Sequence, residues 1–219
     1  KMAEGRKYKL RIAPGGAIEV EVGADRYYLE TTLSYPGEKI GWNKLSFNGT
    51  AGEQSWKPEV TKEKDGSISV GARGTFYSMQ RSVRFENGRL TVRDTLTNTS
   101  QEDVGIFYQI ELSVPEKLEA ALLAGADLMK YRMTAENPSV FISQSRSHVG
   151  WIAEDDVFRL QLAMKRSSDR VTLSTERFGL AAGKAYTFKW NVYPFPSGSD
   201  YWSFVNQVRR EWNVNFKVV

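Results

Sequence analysis

The stretch TFYSMQRSVRFENGRLTVRDTLTNTSQEDVGIFYQIELSV, residues 75–114, predicts three consecutive β-strands. Its first run ends at Phe85, and Asn87-Gly88 follows, a pair that tolerates the positive φ angles of a tight hairpin turn. The second run alternates apolar and polar residues with the two-residue period of a strand. A polar turn at residues 98–103 leads into the third run. We therefore expect an antiparallel meander within one large sheet.

The third run, residues 104–114, predicts a strand with one buried face and one open face. An unbroken apolar row lies on one side: Val104, Ile106, Tyr108, Ile110, Leu112 and Val114. Phe107, Gln109 and Glu111 alternate with that row, so they point to the opposite side. An antiparallel sheet can pack one face on the core and leave the other face available.

Strand-like runs elsewhere predict ten further strands: residues 7–13, 17–22, 26–33, 60–64, 67–72, 140–143, 149–153, 157–165, 171–175 and 186–193. Residues 34–56 are rich in Gly and Asn and predict a loop, with a short strand at 44–47. Residues 115–130 have apolar residues at a spacing that also suits a short helix, which Gly125 interrupts. Many short strands separated by turn signals predict an all-β fold, a two-sheet antiparallel β-sandwich.

The end of the chain predicts one amphipathic helix. The segment PFP at residues 194–196 ends the last strand, because proline cannot donate to a sheet ladder. Asp200 or Ser199 suits the N-cap of a following helix. The face expected to pack has helical spacing: Trp202, Val205, Val208, Arg209 and Trp212. We expect a β-sandwich domain over residues 1–196, with residues 197–219 as a C-terminal helix and tail packed on it.

The composition argues against several classes of function. The chain has 219 residues, enough for a large core, and no cysteine, so neither a disulfide nor a cysteine zinc site is expected. The net charge of +4 is small and evenly interspersed, which argues against a nucleic-acid partner. No apolar run approaches the ~20 residues of a membrane span, so no membrane partner is expected. We expect no metal and no cofactor.

The residues of the meander resemble the galactose-mutarotase-like super-sandwich. The resemblance is carried by the hairpin, the Leu-x-Val pair and the Asn-Thr turn: Asn87, Gly88, Leu90, Val92, Asn98 and Thr99. The end of the chain resembles the N-terminal β-sandwich of modular glycoside hydrolases, in which a last strand leads through an aromatic helix toward a catalytic barrel. Those positions are YPFP at 193–196, then Tyr201, Trp202, Phe204, Val205 and Arg209. The resemblance implies a super-sandwich fold and a sugar-related function.

The sequence departs from the mutarotases at the residues that carry their chemistry. The resemblance implies a histidine soon after the Asn-Thr turn, a second histidine further on and a late glutamate base. The stretch SQEDVGIFYQIEL, residues 100–112, contains no histidine, and the whole chain has one, His148. We therefore do not expect sugar epimerisation.

Tryptophans in polar surroundings are the best candidates for binding a ligand. A flat indole buries the apolar C–H face of a pyranose, and neighbouring polar groups bond its hydroxyls. The predicted ligand-binding residues are Trp42, Trp56, Trp151, Arg146, His148 and Gln144. The alternative for each tryptophan is a place in the core, which the spacing favours outright for Trp190 and Trp202.

Two other sets of residues would suit catalysis on a polysaccharide. Glycoside hydrolysis needs two carboxyl groups about 5–10 Å apart, which would pair Glu111 with the acidic turn at residues 154–156. His148 with Tyr108 is the other pair. A solvated acidic turn and a hydrogen-bonded surface histidine are the plainer interpretations, so we assign no catalytic residue.

Asp94 has the parity of the apolar residues of its strand, so it is expected on the buried face. A buried carboxylate must be paired or hydrogen-bonded. Arg81 and Arg84 lie on the other arm of the hairpin, so we expect a structural ion pair with one of them.

Three hypotheses for function follow. The first is a non-catalytic carbohydrate-binding module of a bacterial polysaccharide-degrading enzyme, secreted or periplasmic, which binds polysaccharide or oligosaccharide by aromatic stacking. The second is a polysaccharide-active enzyme, either a hydrolase or a lyase. The third is a structural spacer that contacts an adjoining catalytic domain through residues 201–212 and binds no sugar.

Overall fold

The computed structural model describes residues 8–49, 51–127, 132–134 and 138–214, with only the backbone of 132–134. The strands are β1 (Tyr8–Ile12), β2 (Ile18–Val22), β3 (Asp25–Tyr35), β4 (Gly41–Leu45), β5 (Glu59–Lys62), β6 (Ile68–Arg73), β7 (Tyr77–Glu86), β8 (Arg89–Asn98), β9 (Val104–Ser113), β10 (Ala120–Leu123), β11 (Arg132–Thr134), β12 (Ser139–Ser143), β13 (Ser147–Ala153), β14 (Ala163–Arg166), β15 (Arg170–Leu180) and β16 (Ala185–Pro196). The helices are α1 (Asp156–Gln161) and α2 (Tyr201–Glu211).

The strands form two antiparallel sheets of eight strands each. The first sheet has the order β1-β2-β3-β9-β15-β14-β11, with β4 also paired to β3. The second has the order β10-β12-β13-β16-β8-β7-β6-β5. The apolar core fills the space between the sheets, and it includes the inward rows of β3 and β9. The predicted all-β, two-sheet antiparallel sandwich is confirmed.

The predicted meander is divided between the two sheets. β7 and β8 form the expected hairpin, with Asn87 at φ 50° and Gly88 at φ 78°. β9 lies in the other sheet, between β3 and β15, so the prediction of three neighbouring strands in one sheet is wrong. Asn98 anchors the crossing, because its Nδ2 donates to the carbonyl oxygens of Glu102 and Leu180, both at 2.8 Å. The short polar turn bridges the sandwich instead of closing a second hairpin.

Two segments differ from the sequence predictions. Residues 115–130 contain the strand β10 and no helix within the part that the structure describes. Residues 157–165, predicted as a strand, form most of α1 and then β14. Asp155 caps α1 by accepting a hydrogen bond from the Phe158 backbone N–H at 2.8 Å. Phe158 is buried while Leu160 is 81% exposed, which a strand with both residues on one face does not allow.

Helix α2 packs on the outer face of the second sheet. Asp200 caps it, with a side-chain oxygen accepting from the Ser203 backbone N–H at 2.8 Å. Phe204 and Val208 are buried against an apolar patch of the sheet, formed by Phe141, Ile152, Tyr193 and Phe195. Gly150 lies directly under Phe204, since a Cβ at that position would come within 2.3 Å of the phenylalanine ring. The predicted helix forms in its described part, but the predicted packing face is wrong: Phe204 and Val208 pack on the sheet, whereas Trp202, expected in the core, is 66% exposed. Residues 215–219 of the predicted tail lie outside the described residues.

A buried polar network joins the two sheets at the centre of the core. Arg81 and Asp94 have no exposed surface and form two hydrogen bonds, both of 2.7 Å. Arg81 also donates to the Thr31 hydroxyl of the first sheet at 2.6 Å. Asp94 accepts from the hydroxyl of Tyr108, also of the first sheet, at 2.5 Å, and from the indole N–H of Trp190 at 3.2 Å. The predicted ion pair of Asp94 therefore forms with Arg81.

Replacing Asp94 by Ala should destabilise the protein strongly. The change leaves the Arg81 guanidinium buried without its counter-charge, which typically costs about 3–5 kcal/mol. Arg84→Gln is the matched control, because Arg84 pairs with Asp65 on the exposed surface, where such a pair contributes roughly 0–1 kcal/mol. Urea unfolding measures both changes. Equal losses in Asp94→Ala and Arg84→Gln would contradict the structural role of the buried pair.

Replacing Gly150 by Ala should displace α2 from the sheet and destabilise the protein. The added methyl group meets the Phe204 ring, and overpacking of this kind typically costs about 1–3 kcal/mol. Gly105→Ala in β9 is the control, because no described residue has an atom within 4 Å of its added Cβ. Thermal unfolding followed by circular dichroism compares the two. The second change Phe204→Leu should restore the melting temperature of Gly150→Ala. If Gly150→Ala melts at the same temperature as the wild type, Phe204 does not pack directly on Gly150.

Candidate functional site

The outward side of the first sheet carries the candidate site, and we call it the first-sheet face. The outward positions of β3 and β9 are half-exposed and mostly polar, and include Tyr28, Glu30, Thr32, Phe107, Gln109, Glu111 and Ser113. Strands β4, β15 and β14 extend this surface on either side. It is the open side that the alternation of residues 104–114 predicted.

Trp42 and Phe107 form an aromatic step at one end of the first-sheet face. Strand β4 begins at Gly41, so Trp42 stands on a strand rather than in the predicted loop. The rings of Trp42 and Phe107 are nearly perpendicular, at 88°, with centroids 5.3 Å apart. Trp42 keeps 41% of its surface exposed. An exposed indole held by a second ring is a firm apolar platform for a ligand.

Ser34 anchors the strands beneath this aromatic step. It pairs with Trp42 across β3 and β4, and its hydroxyl accepts a hydrogen bond from the Phe107 backbone N–H at 2.8 Å. Its carbonyl oxygen accepts from the hydroxyl of Tyr77, a residue of the second sheet, at 3.0 Å. The step is therefore fixed to both neighbouring strands and to the opposite sheet.

A groove of about 290 Å³ extends from Phe107 across β9, β15 and β14. Its lining consists of Phe107, Gln109, Ala163, Lys165, Thr172, Ser174 and Glu176. Gln109 faces Ser174 across one strand pair, and Ser174 faces Ala163 across the next. Ala163 has no long side chain, so a depression forms among hydrogen-bonding groups. Its volume is near the lower end of ordinary ligand pockets.

A β-bulge shapes the groove where it meets the aromatic step. Thr175 pairs with Tyr108, and the next pair joins Phe178 to Ile106, so β15 carries one extra residue. A bulge bends its strand and redirects the side chains beside it. Glu176 lies inside the bulge and lines the groove.

The carboxylates at the centre of the first-sheet face are already engaged. Glu111 accepts from Arg170 Nη1 at 2.9 Å, and Glu30 accepts from the Phe47 backbone N–H at 2.8 Å. Hydrogen bonding to Asp169 and the charge of Glu111 raise the pKa of Arg170, so that guanidinium stays charged. Apart from the exposed charges of Glu176 and Lys165 in the groove, the face therefore offers a ligand mainly amide and hydroxyl groups.

Trp56 does not reach the surface, which corrects its prediction as a stacking residue. It has no exposed area and packs perpendicular to Tyr77, with ring centroids 5.9 Å apart. Its indole N–H donates to the carbonyl oxygen of Lys44 at 2.9 Å. The loop around it folds inward, so Trp56 supports β4 from below instead of offering a ring face.

Trp151 is also a core residue, which corrects the second stacking prediction. It lies on β13 with no exposed area, and its ring centroid is 6.2 Å from that of Trp190. A sugar cannot reach an indole between the two sheets. Gln144, Arg146 and His148, which are near Trp151 in sequence, make their contacts elsewhere and do not surround its ring.

Gln144, Arg146 and His148 lie at the far end of the sandwich. Gln144 Nε2 donates to the carbonyl oxygen of Arg26 at 3.0 Å, and the Arg146 backbone N–H donates to Asp25 at 3.0 Å. His148 stacks on Phe141, and burial lowers its pKa while Glu119 and Asp25 oppose the shift. Their role in ligand binding stays a prediction.

The structure does not bring these three residues near Trp42. Gln144 bonds the start of β3 at Arg26, whereas Trp42 pairs with Ser34 near the end of that strand. Eight residues of extended strand span about 26 Å. A single small sugar cannot touch both ends.

The residue pairs considered for catalysis are separated by the fold. Glu111 points outward from the first sheet, whereas residues 154–156 line a cavity on the outer side of the second sheet. Tyr108 is buried on Asp94, whereas His148 lies on the outer side of the second sheet. Both proposed pairs are therefore wrong, because the sandwich core lies between their members.

Sequence reasoning missed the groove between β9 and β14. Parity placed Phe107 and Gln109 on the open side of their strand, but no local signal connected them to Lys165 or Ser174, which lie more than fifty residues later. The strand register alone brings them together. Within the described ranges, no three His, Cys, Asp or Glu side chains converge in a way that could hold a metal ion. No helix of the described chain is long and apolar enough to cross a membrane.

Comparisons by sequence find no relative: no family model and no curated protein matches the chain. Solved structures do match it. A galactose mutarotase-like protein from Lactobacillus casei has a TM-score of 0.60 at 11% identity, with 87% of this chain and 98% of that one covered. A putative aldose 1-epimerase from Escherichia coli has a TM-score of 0.55 at 11% identity, with coverage of 86% and 96%.

A polysaccharide lyase is a third structural match, with a TM-score of 0.58 at 14% identity. The alignment covers 88% of this chain and 33% of the lyase, so the chain spans about a third of the length of that protein. Identities this low establish shared architecture and nothing about activity. The chain has the fold of the galactose-mutarotase-like β-sandwich proteins.

Proposed function

We propose that this chain is a non-catalytic carbohydrate-binding β-sandwich module of a bacterial polysaccharide-degrading enzyme, and that it binds glycan on the first-sheet face. The observation that carries the proposal is the exposed Trp42 ring, held by Phe107 at the head of a polar groove. The structural neighbours with sugar-related names support a sugar as the class of ligand.

The binding mechanism combines stacking with hydrogen bonds. The C–H face of a pyranose lies on the Trp42 indole, where the negative π face attracts it. The next sugar of the chain reaches the groove, where Gln109, Thr172 and Ser174 bond its hydroxyls. The groove is small and open to water, so we expect a Kd on the order of 10 µM to 1 mM. The mechanism needs no cofactor, and a polysaccharide ligand fits a secreted or periplasmic location.

Trp42→Ala should weaken glycan binding by about tenfold or more, as expected for the loss of an aromatic anchor. A panel of plant and algal polysaccharides in affinity electrophoresis identifies the ligand, and calorimetry with a fragment of it measures the Kd. Phe107→Ala should weaken binding less, because Phe107 packs against the indole and is less exposed than Trp42.

Trp202→Ala is the matched control for Trp42→Ala. Trp202 is 66% exposed and stands on α2, at the outer side of the other sheet. Its replacement should leave the Kd unchanged. If the wild-type protein binds no polysaccharide of the panel, or Trp42→Ala binds as well as Trp202→Ala, the proposal fails.

A second candidate role is contact with an adjoining catalytic domain through α2. An apolar groove of about 610 Å³ runs beside this helix, and Trp202 and Trp212 are among the residues that line it. Trp202 is 66% exposed on this helix, and grouped apolar side chains at a surface are found at interaction sites. This role is compatible with glycan binding, because the groove and the first-sheet face lie on different sheets.

Trp202→Glu should reduce any self-association of the isolated protein. A charge placed in the apolar groove opposes burial of that surface against a second copy. Sedimentation velocity over a range of concentrations compares this variant with the wild type, and Trp42→Glu serves as the control. A wild-type protein that is monomeric throughout and binds no apolar dye would count against the interface role.

A further inference from the structure

The outer side of the second sheet carries a cavity of about 840 Å³, well separated from the first-sheet face. Its floor is formed by the outward residues of β7, β8 and β16, and its wall by residues 154–157. We call it the second-sheet groove. Neither the candidate glycan site nor the apolar groove beside α2 accounts for it.

The wall of this groove is fixed by one carboxylate. Asp155 accepts hydrogen bonds from the backbone N–H groups of Phe158 and Lys189, at 2.8 and 2.7 Å, and from the Tyr186 hydroxyl at 2.5 Å. The start of α1 is therefore tied to β16. A groove whose wall is already ordered loses little entropy when a ligand binds.

Two cations face each other on the floor of the groove. Lys189 and Arg93 are direct cross-strand neighbours of β16 and β8, and both line the groove. Like charges in this arrangement repel and destabilise a sheet. Neither side chain forms an ion pair with any residue that the structure describes. An anionic group on a ligand would relieve the repulsion.

Hydroxyl groups surround the cation pair. Ser82 faces Arg93 on the side away from Lys189, and both residues also line an adjoining cavity of about 270 Å³. Thr91 also lines that second cavity; it is 4% exposed, and its hydroxyl has no hydrogen-bond partner among the residues that the structure describes. Ser82 therefore places a hydroxyl group next to the cation pair, where it can donate to an oxyanion.

The acidic residues of the wall restrict the class of ligand. Glu154 and Asp156 line the groove beyond Lys189, and they can accept hydrogen bonds but not donate them when ionised. A ligand suited to both the cationic floor and the acidic wall therefore carries an anionic group as well as hydroxyl donors. A DNA strand has no free sugar hydroxyls except at its ends, so it offers the acidic wall fewer hydroxyl donors than an oligosaccharide does.

We propose that the second-sheet groove binds an acidic oligosaccharide, with its carboxylate or sulfate on Arg93 and Lys189 and its hydroxyls on the acidic wall. The guanidinium of Arg93 can hold either oxyanion in a bidentate manner, and Ser82 can add a hydroxyl donor. This site is separate from the first-sheet face and does not rest on the function proposed there.

Two substitutions test the site in the full chain. Arg93→Gln and Lys189→Gln should each raise the Kd for an acidic trisaccharide by about tenfold, because each removes one charge-assisted contact. Arg73→Gln and Lys62→Gln are charge-matched controls, since both residues are exposed on the second sheet and line neither cavity. Trigalacturonate and a sulfated carrageenan trisaccharide distinguish carboxylate from sulfate, and maltotriose is the neutral probe.

The melting temperatures of the variants distinguish a ligand-binding role of Arg93 and Lys189 from a structural role. Removing one of two facing cations should leave the melting temperature unchanged or raise it, whereas loss of a purely structural residue should lower it. Binding should also weaken as salt is added. The proposal is overturned if neither acidic trisaccharide binds better than maltotriose, if Arg93→Gln matches Arg73→Gln, if Trp42→Ala abolishes the binding, or if a DNA oligonucleotide binds as tightly.

Discussion

The ion pair between Arg81 and Asp94 is the interaction on which the sandwich depends. Both side chains lie where two apolar sheets meet, and a charge in that position is tolerated only when it is fully paired. Thr31 and Tyr108 of the first sheet complete the hydrogen bonding. The network therefore selects one relative placement of the two sheets, because any shift would leave a buried charge partly unsatisfied. Apolar packing alone tolerates more variation.

That placement determines what each outer surface can do. Once the inward rows of β3 and β9 are committed to the core, the alternate rows must face outward. On the first sheet those rows bring Trp42, Phe107 and Gln109 together. On the second sheet the same rule brings Arg93 and Lys189 side by side. Both surfaces are consequences of register, and neither requires a loop to be ordered by a ligand.

The sequence predicts the parts of the fold that local chemistry decides. The Asn87-Gly88 turn, the alternation of the long strands and the cap at Asp200 each act within a few residues. It also predicts that Asp94 forms an ion pair, because Asp94 lies on the same side as the apolar residues of its strand and a buried carboxylate needs a partner. It does not predict that β9 joins the other sheet, because a short polar turn can close a hairpin or cross the sandwich. The apolar spacing of residues 157–165 likewise suits a strand, and only the Asp155 cap distinguishes the helix.

The candidate site was less predictable for the same reason. Trp42 is exposed and Trp56 is buried, although both lie in one Gly-rich stretch. The difference arises from contacts distant in sequence: Tyr77 packs on the buried Trp56, while Phe107 packs perpendicular to the exposed Trp42. The polar residues of the groove beside Phe107 come from β9, β14 and β15. No local pattern connects these segments.

The packing of α2 on Gly150 also affects how the chain folds. A helix of eleven residues is marginal in water by itself, so α2 depends on the sheet beneath it. That sheet region in turn relies on Phe204 to cover Phe141 and Phe195, which lie on its outer side. Helix and sandwich therefore form one cooperative unit, and a fragment cut between them would leave an uncovered, adhesive patch on one piece and a largely unstructured peptide as the other.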